Sequence, residues 1–339
     1  MTPLLPPDRI RAHLRDRSPI AADVHAVADA AWDLLGTGLL DLPLPGGGET
    51  IMRWWGLVEV AAVDLAVGHL VERHLEAQAI HAELGRSFPD GLWSVWSDDG
   101  PDSKLRAERT SDGWRLSGTK GWCSGARSIT TALVTARDEE GTHLFAVPTR
   151  SEAIRFDPAS WPAVGLALTD TLLMTVQGLD LPAEALLSPE ANWYSERPGA
   201  WATAAGSAAG WYGGALGLAR ELRTVVARRE TDAFGLAHLG FVDAACSAME
   251  AMLQRAATAL DSGEMAAART GAWQVRTVVE HLATRVLRDA GQAVGADLLA
   301  HEATLARRVA DLTSALRQHT ADREYAALGA DVLDAGRLQ

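Results

Sequence analysis

Cysteine is nearly absent: Cys123 and Cys246 are the only two among 339 residues, and they stand far apart. That excludes a disulfide-dense scaffold and leads us to expect two reduced thiols in a cytoplasmic protein. Proline, 14 in all, is missing from Ala200 to Leu338, so nothing there interrupts long helices. No run approaches the roughly 18–20 uninterrupted apolar residues of a membrane span. Met1 to Arg17 carries three prolines and alternating charges rather than a secretory core. Positive charge is in deficit, the net value being −13. Such a surface repels phosphate backbones and anionic lipid, which argues against nucleic acid and membrane as partners. An anionic nucleotide would have to be held by local arginines and helix N-termini. No H-E-x-x-H or Cys/His cluster occurs, so no metal site is expected. A Walker loop, a G-x-G-x-x-G turn and a G-x-S-x-G elbow are missing too.

What is present is an ordinary globular balance, 47 % hydrophobic and 22 % charged, over a length suited to two or three domains. Helical periodicity runs through Ala21–Leu35, Ile51–Val67 and Gly68–Leu84, with Gly68 as the expected joint. From Phe88 to Pro189 short β-branched and aromatic runs recur every ten residues or so between turn signals. Beyond Ala200, long Ala/Leu/Arg/Glu tracts fit an antiparallel bundle. The expected class is α+β: an N-terminal helical domain (1–88), a central antiparallel β-barrel-like domain (89–190) and a C-terminal four-helix bundle (191–339).

The strongest local pattern is Trp114 to Gly125, W-R-L-S-G-T-K-G-W-C-S-G. It reads as a strand, a turn at Gly118 and a second strand with Trp122 and Ser124 on one face. A flat aromatic beside a hydroxyl suits a flavin ring, and a half-buried hairpin with a core tryptophan is the plain alternative. Leu116 to Ala126 closely resembles the acyl-CoA dehydrogenase pattern L-x-G-x-K-x-W-[IC]-[ST]-[NG]-[GA], and the helix–β–helix order is similar over nearly the whole chain. The resemblance implies FAD between the β-domain and the bundle, with Trp122 and Ser124 against the flavin. It also implies a homodimer or homotetramer.

Further matches are partial. Val95 and Ser97 stand where the family has a strand and a Gly-rich turn for flavin and substrate, but Asp98-Asp99-Gly100 replaces that turn. Two adjacent carboxylates there would repel a CoA pyrophosphate. Arg229 and Phe234 resemble the R-x-x-F-G element that reaches FAD phosphate, with the register shifted. Gln292 and Gly295 resemble a Q-x-[FV]-G-G element that contacts FAD. Trp201 to Gly214 is rich in Ala and Gly and lacks the family's acyl-CoA recognition residues; it suits either a wide pocket or a close helix contact. Where many members carry a catalytic glutamate eight residues after an R-D pair, this chain places His319 after Asp311. His319 is therefore the candidate base, and pairing with Asp322 or Glu324 is its structural alternative.

The resemblance implies an FAD-dependent oxidoreductase that dehydrogenates an acyl thioester such as an acyl-CoA, passing electrons to an electron-transfer partner. The altered residues keep two alternatives open. One is a flavin-dependent monooxygenase or oxidase of the same fold, served by a reductase and acting on a small molecule. The other is a non-catalytic, divergent subunit.

Overall fold

The computed structural model describes residues 6–14, 23–98, 100, 103–228 and 233–334. Four helices come first: α1 (Pro6–Leu14), α2 (Val24–Gly36), α3 (Thr50–Val63) and α4 (Leu65–Glu83). Seven strands follow: β1 (Trp93–Trp96), β2 (Arg106–Arg109), β3 (Gly113–Cys123), β4 (Thr131–Arg137), β5 (Thr142–Pro148), β6 (Ile154–Asp157) and β7 (Leu172–Pro182). The chain ends in α5 (Trp193–Glu196), α6 (Ala200–Arg228), α7 (Ala233–Asp261), α8 (Met265–His301), α9 (Ala303–Arg317) and α10 (Ala321–Asp334). The α+β class and the helix–sheet–helix order agree with the sequence reading.

The α3–α4 joint falls at Asp64 rather than Gly68. Asp64 takes an extended backbone, and its carboxylate accepts the Ala66 N–H at 2.9 Å and the Val67 N–H at 3.4 Å, capping α4. Gly68 serves packing instead, since a Cβ there would lie 2.7 Å from the Cβ of Ala61.

The sheet runs β1-β4-β2-β3-β7-β6, with β5 on the other side of β4. It is mixed, not purely antiparallel: β1 and β2 both lie parallel to β4. The reason is connectivity, because the β2–β3 hairpin intervenes before the chain returns as β4 beside β1. Gly118 is not a hairpin turn. Its φ of +121° marks a register shift inside one continuous β3, and a Cβ would meet the Lys104 carbonyl oxygen at 2.2 Å. Lys120 of the motif is fully buried, donating to Thr135 Oγ1 at 2.7 Å.

The small residues of α6 answer both readings of that tract. Gly213 and Gly217 abut α3, where a Cβ would come within 2.6 Å of Ala61 Cβ and 2.4 Å of the Ala62 carbonyl oxygen. The preceding turns, from Ala200 to Gly210, instead line a cavity. In α8, Gly295 (φ +77°) kinks the helix. By length and composition α7 is apolar enough to cross a membrane, and only 28 % of its most apolar window is buried. Both cysteines are free, and burial pushes the Cys123 thiol far up, so it stays protonated.

Candidate functional site

Between the sheet, α4 and the end of α9 lies a cavity of about 310 Å³. The sheet contributes Val95 and Trp122, the residues just after β3 and just before β7 contribute Ser124 and Thr171, and α4 contributes His69 and Arg73. Trp122 is 49 % exposed, whereas Ser124 is buried. Strict alternation does not bring the pair together. A second register shift follows Lys120, Trp122 takes a left-handed φ of +57°, and the chain turns so that both side chains meet one cavity. Leu166 and Asp170, on the loop before β7, are also left-handed, so three such residues surround the site. Non-glycine residues hold this conformation at a cost, and such strain gathers at functional sites.

A line of hydroxyls runs along the cavity wall. His69 Nε2 lies 3.0 Å from Ser124 Oγ, which is 2.9 Å from Thr171 Oγ1. Thr171 in turn pairs with Thr169 Oγ1 at 2.8 Å, and Thr169 donates to the Leu166 carbonyl at 2.7 Å. Burial, aided by the Arg73 charge and opposed by Asp98, pushes the His69 pKa down to about 3. His69 is therefore a neutral imidazole across the physiological range. The loop above is fastened to α9: the Leu166 N–H donates to Asp311 at 2.6 Å. Burial pushes Asp311 up to about 6, against that hydrogen bond and Arg307.

A second chamber of about 290 Å³ adjoins the first, and His69, Arg73, Asp98, Leu166 and Gln318 border both. Its remaining walls carry polar groups from Glu72, Tyr194, Arg197, Ser207 and Arg276, beside apolar Leu65, Trp211 and several alanines. Burial works against the Arg73 charge, but Glu72, Glu76 and Asp98 outweigh it and raise its pKa. Arg197 donates to Glu76 at 3.3 Å, and Arg276 donates to Glu324 at 2.8 Å while lying over the Trp211 ring.

The residues singled out in the sequence divide into three groups. Val95, Trp122 and Ser124 line the first cavity, and Ser97 lines the chamber. Phe234, Gln292 and Gly295 line neither. The contact of His238 with Asp289 at 3.0 Å pairs the start of α7 with the latter part of α8, which places those three together on the bundle surface. Arg229 lies outside the described residues, as do Asp99, Pro101 and Asp102. His319 does not border either cavity. Its side chain is 1 % exposed, 3.0 Å from Glu324, and its ring packs against Trp211 at 5.3 Å. It stands behind the chamber wall; Gln318 stands in it.

Sequence reading missed His69, Thr171 and the chamber arginines. His69 has no local signal, being one of three histidines in α4 with a partner 55 residues away.

No protein-family model matches the chain, and no curated protein is detectably similar to it in sequence. Solved structures are similar over almost its whole length. Methanesulfinate monooxygenase MsuC from Pseudomonas fluorescens superposes with a TM-score of 0.83, covering 99 % of this chain and 97 % of that one at 18 % identity. Glutaryl-CoA dehydrogenase from Mycobacterium smegmatis gives 0.82, with 98 % and 95 % covered at 19 % identity. TdsC from Paenibacillus sp. A11-2, in complex with FMN and indole, gives 0.78, with 97 % and 95 % covered at 18 % identity. Helices, curled sheet and helical C-terminal region correspond throughout, and the chain has the acyl-CoA dehydrogenase fold.

Proposed function

We propose that the protein is a flavin-dependent oxidoreductase acting on a small polar molecule held in the chamber beside the flavin. The observation that carries this reading is the pair of contiguous cavities joined at His69. One has a half-exposed tryptophan and a hydroxyl line; the other has a wall of fixed charges. The first cavity suits a flavin ring, with Trp122 as its stacking face and Ser124 and Thr171 as donors or acceptors at its polar edge. A bound flavin supplies two-electron chemistry and, when reduced, reactivity toward dioxygen. Within the protein, the neutral His69 imidazole holds Ser124 in place. The loop through Leu166, fastened by Asp311, excludes water from above.

The polar chamber favours the monooxygenase or oxidase reading over thioester dehydrogenation. The charged and hydroxyl groups on its wall, Glu72, Arg73, Arg197, Ser207 and Arg276 among them, suit a polar substrate better than an acyl chain. The neighbours' own names span both chemistries, one a methanesulfinate monooxygenase and another a glutaryl-CoA dehydrogenase. FMN is the form that asks least of the first cavity, since it carries no adenylate. FAD would need further contacts for its adenylate, and Phe234, Gln292 and Gly295 stand apart from the cavity of their own chain. We assign His319 a positioning role, backing Trp211. A separate reductase would supply reduced flavin, and a cytoplasmic location accords with the two free thiols.

Reconstitution of the purified protein with FMN and with FAD, followed by visible spectra, tests the reading. The expected result is a yellow protein, not bleached anaerobically by acyl-CoA, whose reduced form reoxidises rapidly in oxygen. Bleaching by a thioester would restore the dehydrogenase reading. A protein that takes up neither flavin would leave the non-catalytic subunit.

A further inference from the structure

Further cavities adjoin the polar chamber on the side that Glu72 and Thr203 border. These two residues also line a neck-like space of about 40 Å³, together with Trp54, Leu57 and Gly206. Pro45, Ala79 and Ala202 then lead into a vestibule of about 400 Å³, walled by Leu44, Leu260, Met265 and Ala268. Three charged residues border the neck, and each has partners within the protein. Arg53 donates to the Pro43 and Leu75 carbonyls and to Gln78. Glu76 accepts from Arg73 and Tyr194, and Glu72 from Ser207. The apolar part of its lining comes from Trp54, Leu57, Leu75, Ala79 and Ala202. At about 40 Å³ against about 290 Å³ for the chamber, the space suits a small molecule such as a diatomic gas and not a substrate that fills the chamber.

We propose that this neck is a gas route that delivers dioxygen from the vestibule to the chamber at His69, apart from the path of the polar substrate. The proposal rests on the oxygen-using flavin reading above. Gly206 is the position that controls the bore. A Cβ there finds Trp54 Nε1 at 3.6 Å, ordinary contact, so alanine fits while a longer side chain fills the neck. Ala202, bordering both neck and vestibule, offers an independent block.

The first test uses crystals of the flavin-free protein under xenon, an apolar probe of comparable size. Xenon is expected in the vestibule and neck of the wild type and of Gly206→Ala. In Gly206→Met, and in Ala202→Leu, the neck site is expected to disappear. The second test mixes reduced, flavin-loaded protein with oxygen in the absence of substrate. Dioxygen takes two electrons and two protons from the reduced flavin, giving oxidised flavin and hydrogen peroxide. This step should be about fivefold slower in Gly206→Met, equivalent to a modest rise in barrier, with flavin affinity unchanged. Absence of xenon from the wild-type neck would overturn the route. So would an unchanged reoxidation rate in a variant whose neck is closed to xenon. A protein that binds neither FMN nor FAD would overturn the functional reading and the oxygen role with it, while the xenon maps still report whether the passage exists.

Discussion

His69 is held neutral by its surroundings, and that has a cost at low pH. Its folded pKa, about 3, lies below the ordinary histidine value of 6.5. As pH falls below 6.5 the unfolded chain takes up a proton that the folded protein refuses, so stability declines toward pH 3. By pH 4 the loss from this group is roughly 3 kcal/mol. His69→Gln keeps a polar partner for Ser124 but does not titrate. Urea unfolding at pH 7 and pH 4 should show a smaller acid loss in the variant, and an equal loss would remove His69 as its source. Gly165 governs the loop above the cavity, because a Cβ there would lie 2.1 Å from Ser314 Oγ and 2.2 Å from the Ala310 carbonyl oxygen. Ser314 can rotate away; backbone cannot. Gly165→Ala should cost roughly 1–3 kcal/mol in urea unfolding and weaken flavin binding, since overpacking must push the loop off α9. Tight flavin binding with wild-type stability would contradict this. Trp122 and Ser124 were legible because their signal is local, a run of a dozen residues. His69 and Gly165 were not, because each is defined by a partner far away in sequence.

At the scale of elements the sequence marked helices and strands well but misjudged what its glycines do. Gly118 and Gly68 read as a turn and a joint; both are places where another backbone or side chain comes too close for a Cβ. Such close approaches are tertiary facts, invisible to periodicity. The true joint, Asp64, is a buried cap whose carboxylate also contacts Arg307 of α9. It thereby ties the N-terminal helices to the element that carries Asp311, Ser314 and Gln318. Burial raises the Asp64 pKa, and Arg307 opposes that rise. Asp64→Ala should destabilise the protein by roughly 3–4 kcal/mol, losing the cap and leaving Arg307 without this carboxylate. Asp64→Asn retains the cap acceptor and should cost less. Chemical denaturation of the two variants distinguishes the effects, and equal losses would assign the role to charge alone.

For the whole molecule the open question is what covers α7. Its buried residues, Val242, Ala245, Met249, Leu253, Ala256, Ala257 and Leu260, form one stripe against the bundle. Leu239, Phe241 and Met252 are half-buried against the core, whereas near the helix start Phe234 is 79 % and Leu236 55 % exposed. Exposed large apolar side chains side by side fit a surface covered by a partner or by lipid. Lipid is the weaker candidate. Asp243 and Glu250 lie along the helix, and a chain of net charge −13 is repelled by anionic bilayers. A second copy of the chain carries the same apolar face and can pair with it about a two-fold axis, giving the homodimer or homotetramer that the resemblance implies. Sedimentation equilibrium at micromolar concentration should show that assembly. Phe234→Asp with Leu236→Asp should shift it toward monomer, because each copy would bring unpaired charge to the contact. Flotation with anionic vesicles should leave the wild-type protein in solution. A wild-type monomer under these conditions, or a protein that floats with the vesicles, would show that α7 is covered by something other than a second copy of the chain.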